Sequence, residues 1–416
     1  MKLVHLRLCN FWSFGASPVE IDLDSTTFLL GPNGAGKTAV LQALARMFSI
    51  DPAQRRVRQS DFHVPADEDL ADMPESRELW VEVDFEFPEL SQDDGKDHDF
   101  SAVPGNFAHM RMESTDGAAQ MRLRLNATID RENEIEEKLS YVIRVDENDE
   151  PIDQSDVGKH DRNAIQIHYL PARRDPADHI SYSANTILGR ALRAANWNDQ
   201  REDVNALTRR ITETLVDNPA IEGITQALAA EWNTVHKGQY YTDPSVSFAR
   251  NDVENLLRHL TVGFTPGHGE SVVDFARLSD GQQSLLYLSL VLAMHSIGQK
   301  VLSGELETAF DIDKLRPAIF TLIAVEEPEN SLSPHFLGRV IRALTKFSKG
   351  PNAQAIVATH APALLRRVSP ESIRYLRLDD SRETTVTRIP MPESASVDKF
   401  VREGIQAYPE LYFSRL

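Results

Sequence analysis

Hydrophobic and polar positions along the chain follow two periods, which predict strands and helices in mixed order. Short apolar runs at Leu3–Leu8, Val19–Leu23 and Thr27–Leu30 predict strands near the N-terminus. Apolar residues at helical spacing over Thr38–Phe48 then predict a helix. Residues 27–48 therefore have the order strand, glycine-rich loop, helix.

A second region has the pattern of an antiparallel sheet. From Leu79 onward apolar and polar side chains alternate strictly, which is typical of a half-buried antiparallel strand. Extended segments at Ala108–Glu113, Met121–Ile129 and Tyr141–Val145 complete a predicted β-subdomain. Its acidic runs are predicted to be solvated loops rather than metal cages, and they lie at residues 91–99 and 146–156.

The rest of the chain predicts a helical insertion followed by an α/β core. Residues 183–260 are mainly helical in pattern and carry no catalytic signature, so we expect an arm that packs on the core or forms a dimer. After this insertion, helices and strands alternate, which predicts a mostly parallel sheet. The predicted division is 1–182, 183–260 and 261–416. Candidate buried positions of the insertion are Leu188, Leu192, Leu207, Ile211, Leu215, Ile224 and Leu228.

Composition narrows the class of protein. With 416 residues, 41% of them hydrophobic and 26% charged, the chain is not collagen-like, disordered or disulfide-stapled. Its single cysteine, Cys9, cannot form an internal disulfide, which fits a reducing cytosol. The net charge of −19 argues against nucleic-acid binding by the whole surface. The arginine clusters are interpreted as solvated faces or as phosphate contacts within the protein, and a local basic groove that binds DNA is the alternative. They lie at 55–58, 173–174, 209–210 and 366–367.

No membrane span or export signal is predicted. The longest nearly apolar runs, Leu285–Met294 and Ile319–Val325, are shorter than the ~20 residues that cross a bilayer. Arg7 and Asn10 would interrupt the apolar core of a signal peptide. We therefore expect a cytoplasmic protein without a membrane partner.

The strongest chemical motif is GPNGAGKT, which begins at Gly31 and fits the pattern G-x-x-x-x-G-K-[ST]. Glycines allow backbone N–H groups to surround phosphates, and the following helix N-terminus adds partial positive charge. Lys37 would reach the β- and γ-phosphates, and the Thr38 hydroxyl would bind magnesium. The motif predicts ATP and Mg²⁺ as ligands, held by Gly31, Asn33, Gly34, Gly36, Lys37 and Thr38.

A second motif places acids after an apolar strand. Ile319–Val325 is followed directly by Glu326 and Glu327. Such a strand brings a carboxylate to Mg²⁺ beside the phosphate loop, directly or through water, and we assign this role to Glu326. Glu327 would then polarise the attacking water. The alternative, a solvated sheet edge, fits less well because the acids follow a buried run.

Other polar segments have two interpretations. Ser279 and Gly281 in LSDGQQ precede an apolar helix, so they form either a second anion site or only a helix cap. Either Gln59 or Asp61 could bind metal or water, unless this segment is a polar turn that ends a helix. The one D-x-D sequence, Asp311–Asp313, is predicted to be a loop.

These motifs occur in an order that resembles ABC-type ATPase heads: GPNGAGKT, LSDGQQ, the strand ending in EEPEN, and ATH at Ala358–His360. The resemblance implies an α/β P-loop head that works as a homodimer. Ser279 and Gly281 of one head would complete the ATP site of the other, and His360 would contact the γ-phosphate. Two departures are Asp280, where the family usually has glycine, and Trp12, where DNA-associated heads usually have arginine.

Further segments resemble the overcoming-lysogenization-defect (OLD) family, which couples such an ATPase to a Toprim nuclease. They are EEPENSLSPH, ATHAPALL, IHYLPARRDP and YPELYFSRL. The resemblance implies that ATP hydrolysis in a dimer or larger homo-oligomer controls a nuclease acting on phage or other DNA. The residues after His360 contain no D-x-D, and strands near Ile373–Leu378 and Thr385–Ile389 with a final helix are expected there instead. We therefore expect the nuclease centre to lie outside these residues.

Two other functions remain open on sequence grounds. The chain could be a DNA-binding clamp for repair or recombination, in which ATP controls the grip and no strand is cut. It could also be the motor subunit of a transporter, although the long insertion makes this less favourable.

Overall fold

The computed structural model describes most of the chain. The described residues are 1–68, 74–88, 107, 112–113, 119–171, 187–235, 262–264, 273–274, 277–330, 334–392 and 394–408. Their strands are β1 Lys2–Cys9, β2 Val19–Asp22, β3 Thr26–Leu30, β4 Ser76–Glu86, β5 Met112–Glu113, β6 Ala119–Asp130, β7 Ile135–Val145, β8 Pro151–Asp156, β9 Ile165–Leu170, β10 Gly263–Phe264, β11 Val273–Asp274, β12 Phe320–Glu326, β13 Ala353–Thr359, β14 Ile373–Leu378 and β15 Thr384–Arg388. Their helices are α1 Lys37–Phe48, α2 Pro52–Arg55, α3 Lys159–Ala164, α4 Ile187–Ala194, α5 Asn198–Val216, α6 Pro219–Val235, α7 Asp280–Leu302, α8 Ile312–Leu315, α9 Pro334–Phe347 and α10 Ala395–Ala407.

The fold is α/β with one mostly parallel and one antiparallel sheet, as the patterns predict. The parallel sheet has the order β15-β14-β3-β13-β12-β9, in which only the β14–β15 pair is antiparallel. The antiparallel sheet has the order β2-β1-β4-β6-β7-β8, and β5 pairs with β6. β10 and β11 pair only with each other among the described strands. The predicted run 91–99 lies outside the described residues.

The polar face of β4 is buried, which the alternation alone does not predict. Glu82 and Asp84 are 2% and 3% exposed. Arg7 on β1 bonds both carboxylates, and Arg122 on β6 bonds Asp84 at 2.7 Å. Arg124 lies 3.5 Å from Glu82. Buried charges require such partners because an unpaired charge is costly to remove from water. The apolar face is also buried, through Leu79, Val81, Val83 and Phe85.

The prediction of a loop throughout residues 146–156 is wrong in its second half. Pro151–Asp156 forms β8, which pairs with β7 at the edge of the antiparallel sheet. Backbone pairing does not depend on side-chain charge, and charged, exposed side chains are common on edge strands because they discourage further pairing. The first half is a turn in which Asp146 accepts hydrogen bonds from the N–H groups of Asn148 and Glu150.

The chain divides into two compact units, of which the first contains both large sheets. The first unit comprises Met1–Arg174, Ser279–Gln299 and Arg316–Leu416, and the second comprises Asp175–Leu278 and Lys300–Leu315. Within the second unit, α5 and α6 carry four exposed apolar side chains, so the prediction that these positions are buried is wrong. Helical spacing identifies an apolar face but not what covers it. The four are Leu207, Ile211, Ile224 and Leu228, which are 61%, 46%, 56% and 45% exposed.

Helix α7 is longer than the apolar run, Leu285–Met294, on which the sequence prediction about membrane spans was based. By length and composition it is apolar enough to cross a bilayer, although one such helix is weak evidence of a span. The sequence prediction considered uninterrupted apolar runs, whereas the whole helix is longer. His295 on α7 lies 3.0 Å from the Thr321 hydroxyl of β12, and its ring packs against Phe347 of α9. These contacts place α7 against the parallel sheet.

Three aromatic rings join the two sheets and α1 in one core. Phe85 of β4 packs edge-to-face against Phe48 at the end of α1 and against Phe320 at the start of β12, with ring centroids 6.3 and 5.2 Å apart. All three rings are at most 1% exposed. Edge-to-face packing adds to the burial of apolar area, so this cluster fixes the antiparallel sheet against the phosphate-loop helix.

We expect Phe85→Ala to lower the free energy of unfolding by about 3–5 kcal/mol, because it leaves a cavity between three elements. Urea denaturation followed by circular dichroism measures this loss. The matched control is Phe400→Ala on α10, where the ring is 75% exposed and the expected change is below about 0.5 kcal/mol. Equal losses in the two variants would contradict the proposed core.

Candidate functional site

The strand order of the parallel sheet brings three sequence motifs to one edge. β13 lies between β3 and β12, with Thr359 opposite Leu30 and Ala358 opposite Glu326. All three strands run in the same direction, so their carboxyl ends meet where ligands bind in open α/β sheets. The glycine loop after β3, the acids at the end of β12 and His360 after β13 are therefore neighbours.

The glycine loop needs glycine for two physical reasons. Gly34 and Gly36 have φ values of 80° and 92°, a region that other residues rarely adopt. A Cβ at Gly31 would lie 2.2 Å from the carbonyl oxygen of Leu376, and one at Gly36 would lie 2.4 Å from the Thr384 hydroxyl. The loop thus rests against the β14–β15 hairpin on one side. Asn33 and Gly34 are exposed on the other side and leave room for a ligand.

Lys37 is buried at the start of α1, where its ammonium donates to the carbonyl oxygens of Gly31 and Pro32 at 2.8 and 2.9 Å. Burial lowers the pKa of Lys37, and the carboxylates of Glu327 and nearby acids oppose this shift. A phosphate would favour the charged form in the same way. The ammonium is thus held within the loop that would surround the phosphates.

The Thr38 hydroxyl donates to Glu326 Oε1, and the Tyr169 hydroxyl at the end of β9 donates to Glu326 Oε2 at 2.5 Å. Glu326 is only 8% exposed. Burial and the neighbouring Glu326 carboxylate raise the pKa of Tyr169, so its hydroxyl remains a proton donor. A hydroxyl and a carboxylate are the hard oxygen donors that magnesium prefers, so this pair fits a magnesium ion beside bound phosphates.

Glu327 and His360 face each other across the strand ends. Glu327 Oε1 lies 3.2 Å from His360 Nδ1, and Glu327 Oε2 accepts a hydrogen bond from the Asn330 amide at 2.5 Å. Glu327 has a φ of 43°, and Pro328 follows it, so the chain turns sharply away from β12 at this carboxylate. The turn directs consecutive acids to different partners, with Glu326 on Thr38 and Glu327 on His360.

Glu329 is a third acid of the site, to which the sequence analysis assigned no role. Its Oε1 accepts hydrogen bonds from the Thr359 hydroxyl at 2.6 Å and the His360 N–H at 3.1 Å. Its Oε2 is buried without a hydrogen-bond partner among the described residues. The sequence signal was the EEPE spacing, which returns an acid to the same edge after one turn. Glu329 thereby fixes the backbone that carries His360.

Ser279 and Gly281 lie at the N-terminus of α7. The N–H and hydroxyl of Ser279 both donate to Gln282 Oε1 at 3.0 Å, which is half of a capping box. Ser279 is exposed, and Gly281 is half-buried. These contacts fit the helix-cap interpretation of LSDGQQ, while the exposure leaves Ser279 accessible to a ligand on another molecule.

Two other predicted polar segments have structural partners. Asp61 is fully buried in an ion pair with Arg46 at 2.6 Å and accepts from the Trp12 indole at 2.9 Å, so its carboxylate is already engaged. Gln59 is exposed and stays a candidate ligand. Asp311 precedes α8 and accepts from the N–H groups of Asp313 and Lys314, so the D-x-D sequence caps a helix.

A glycine loop between a parallel strand and a helix, with a lysine, a threonine and a strand-end acid, defines a P-loop nucleotide-binding protein. The chain belongs to the family described as the AAA ATPase domain, whose model matches residues 1–365. The matched range includes the glycine loop, the acids after β12 and His360.

One relative covers nearly the whole chain. The chain is 21% identical over 409 residues to a protein of Thermus scotoductus named OLD nuclease, a match that spans 95% of this chain. It spans 66% of that relative, so the relative is substantially longer than the matched part. The similarity agrees with the OLD resemblance that the motifs indicate.

Similar solved structures are heads of SMC proteins. An SMC head bound to the C-terminal winged-helix domain of ScpA is 16% identical, with a TM-score of 0.46, and covers 94% of this chain and 99% of its own. A Thermotoga maritima SMC head is 15% identical, with a TM-score of 0.37, covering 94% and 100%. A Pyrococcus furiosus SMC head with an extended coiled coil and the C-terminal domain of ScpA is 14% identical, with a TM-score of 0.48, covering 97% and 99%.

We expect Asp61 to stabilise the folded protein. Asp61→Ala should lower the free energy of unfolding by about 3–5 kcal/mol, because it leaves the buried Arg46 charge unpaired. Urea denaturation measures this change. The matched control, Asp156→Ala, removes an exposed partner of Lys138 and should cost less than about 1 kcal/mol. A fully stable Asp61→Ala variant would refute the structural role.

Proposed function

We propose that this chain is the ATP-hydrolysing head of an OLD-type protein. The observation that carries this proposal is the meeting of Thr38 with Glu326 and of Glu327 with His360 beside the glycine loop. When bound, magnesium would draw charge from the phosphates, and Thr38 and Glu326 are the residues that would hold it. Phosphoryl transfer needs positioning and charge stabilisation, which these groups supply.

Each residue of the site has its own role in hydrolysis. The glycine-loop N–H groups, together with Asn33, and the Lys37 ammonium bind and orient the phosphates. Glu327 orients the attacking water, accepts its proton and is held in place by Asn330. His360 hydrogen-bonds the γ-phosphate, and Glu329 fixes its backbone. Burial lowers the pKa of Lys37, while the nearby carboxylates of Glu327, Glu329 and Glu326 favour its charged form.

The head works as a head-to-tail homodimer, in which Ser279 and Gly281 of one copy complete the ATP site of the other. The exposure of Ser279 at the N-terminus of α7 supports this arrangement, because a helix N-terminus favours a negatively charged group. Residues 183–260, which separate the two parts of the head, 1–182 and 261–416, along the sequence, supply a dimerisation arm. The exposed apolar residues of α5 and α6 support such a contact.

The ATPase controls a DNA-directed nuclease of the Toprim type, which lies outside these residues, in anti-phage defence or DNA processing. The name of the Thermus scotoductus relative and its greater length support this part of the proposal. The packing of α7 on the parallel sheet supports a cytoplasmic location rather than a membrane one. Cleavage of DNA by the full-length protein, and its loss in a Lys37→Ala variant, would test the control by ATP.

Lys37→Ala should weaken ATP binding by roughly 100-fold, because charge-assisted bonds to phosphate are lost. Titration of the purified protein with a fluorescent ATP analogue measures this affinity. The matched control is Lys349→Ala, which removes an exposed lysine and should leave affinity unchanged. Undiminished binding in Lys37→Ala would remove the glycine loop from the proposed site.

Glu327→Gln should lower ATP turnover by about 100-fold or more while ATP binding is retained, because the amide cannot accept the proton of the attacking water. Trapped ATP should then hold the dimer together, which light scattering measures in magnesium-containing buffer. Glu136→Gln, an exposed change on β7, serves as the matched control. Equal turnover in Glu327→Gln and the unchanged protein would eliminate this role of Glu327.

A further inference from the structure

The Glu326 carboxylate accepts a hydrogen bond from β9, a strand that carries none of the nucleotide-binding motifs. β9 pairs in parallel with β12, so Tyr169 comes to the same sheet edge as Glu326. The tyrosine hydroxyl donates to Glu326 Oε2 at 2.5 Å, while the Thr38 hydroxyl donates to Oε1. Each oxygen of this carboxylate therefore has its own donor, and the two donors fix the plane of the group.

Helix α1 packs against β9 and carries a row of three polar side chains, of which Arg46 is buried and Thr38 and Gln42 are half-buried. The Gln42 side chain interacts with the Tyr169 hydroxyl and lowers its pKa, against the effect of burial. Arg46 donates to Gln42 Oε1 at 3.1 Å and pairs with the fully buried Asp61. Thr38, Gln42 and Arg46 are each four residues apart, so they lie along one face of the helix. Hydrogen bonds thus join Tyr169 to Glu326 and, on α1, join Arg46 to both Gln42 and Asp61.

We propose that Tyr169 is a positioning residue for the magnesium ligand Glu326, and that the neighbouring Gln42 on α1 assists it. The inference rests on the proposed function. Magnesium requires nearly ideal octahedral geometry at about 2.0–2.1 Å, so a carboxylate that rotates freely is a poor ligand. Tyr169 and Glu326 are each 8% exposed. If the tyrosine hydroxyl were removed, water would therefore have little access to take its place as hydrogen-bond donor. Partners of this kind typically contribute about 10- to 100-fold in metal affinity.

The test is the affinity for Mn²⁺, measured by electron paramagnetic resonance with a non-hydrolysable ATP analogue present. Tyr169→Phe removes only the hydroxyl and should raise the half-saturating Mn²⁺ concentration about tenfold, which equals about 1.4 kcal/mol. Analogue binding in the absence of metal should be unchanged. ATP turnover at saturating Mg²⁺ should remain within about twofold, while the Mg²⁺ concentration for half-maximal rate rises about tenfold.

The matched control is Tyr141→Phe. Tyr141 is 1% exposed and its hydroxyl also donates to a carboxylate, Asp161 Oδ2, at 2.9 Å, but this pair joins β7 to α3 and includes no residue of the site. Both variants lose a buried hydrogen bond, and their thermal unfolding reports that cost. Only Tyr169→Phe should change Mn²⁺ affinity. A loss of stability in Tyr169→Phe with unchanged Mn²⁺ affinity would overturn the proposal.

A second variant keeps the test decisive if Tyr169→Phe does not fold. Gln42→Met removes the amide that interacts with the tyrosine hydroxyl and should weaken Mn²⁺ binding two- to threefold, whereas unchanged affinity in that variant would overturn the proposal. Failure of the proposed function looks different. The unchanged protein would then bind no Mn²⁺ with the analogue, whereas normal binding by that protein and by Tyr169→Phe would reject the positioning role alone.

Discussion

The parallel pairing of β13 between β3 and β12 is the interaction on which the site depends. Each of these strands ends in a residue or loop with its own chemistry, and none of the three segments is adjacent to another in sequence. Main-chain hydrogen bonds set the register, so Thr359 lies beside Leu30 and Glu326 lies beside Ala358. A shift of one residue along any strand would reverse the faces of its side chains and separate the carboxylates from the loop.

Buried charged side chains form ion pairs in two places. Arg46 of α1 pairs with Asp61, and a larger arginine–carboxylate cluster lies on the antiparallel sheet. In both, carboxylates and guanidinium groups share hydrogen bonds with good geometry, which offsets the cost of removing them from water. The nucleotide site differs because its acids Glu326, Glu327 and Glu329 outnumber its one lysine. That imbalance favours a ligand that brings a cation with it.

Motif and periodicity predicted the parts of the fold that depend on local sequence. The glycine loop, the helix after it and the acids after β12 were found because their residue types and spacing are confined to a few positions. The contact of Tyr169 with Glu326 could not be found in this way, because it depends on which strand pairs beside β12. The burial of Glu82 and Asp84 was missed for a similar reason, since their arginine partners come from other strands. Exposed leucines on α5 and α6 show the same limit for helices.

The contact between the phosphate loop and the β14–β15 hairpin has a consequence for the smallest fragment of the chain that can bind nucleotide. The family match ends at residue 365, yet Gly31 rests against Leu376 and Gly36 against Thr384 of the later hairpin. The Thr384 N–H also donates to the Ser13 carbonyl at 2.7 Å, which ties the hairpin to the segment before β2. A fragment cut just after His360 would retain every recognisable ATPase motif but lose the surface that shapes its loop. The functional boundary of this head therefore extends at least through β15.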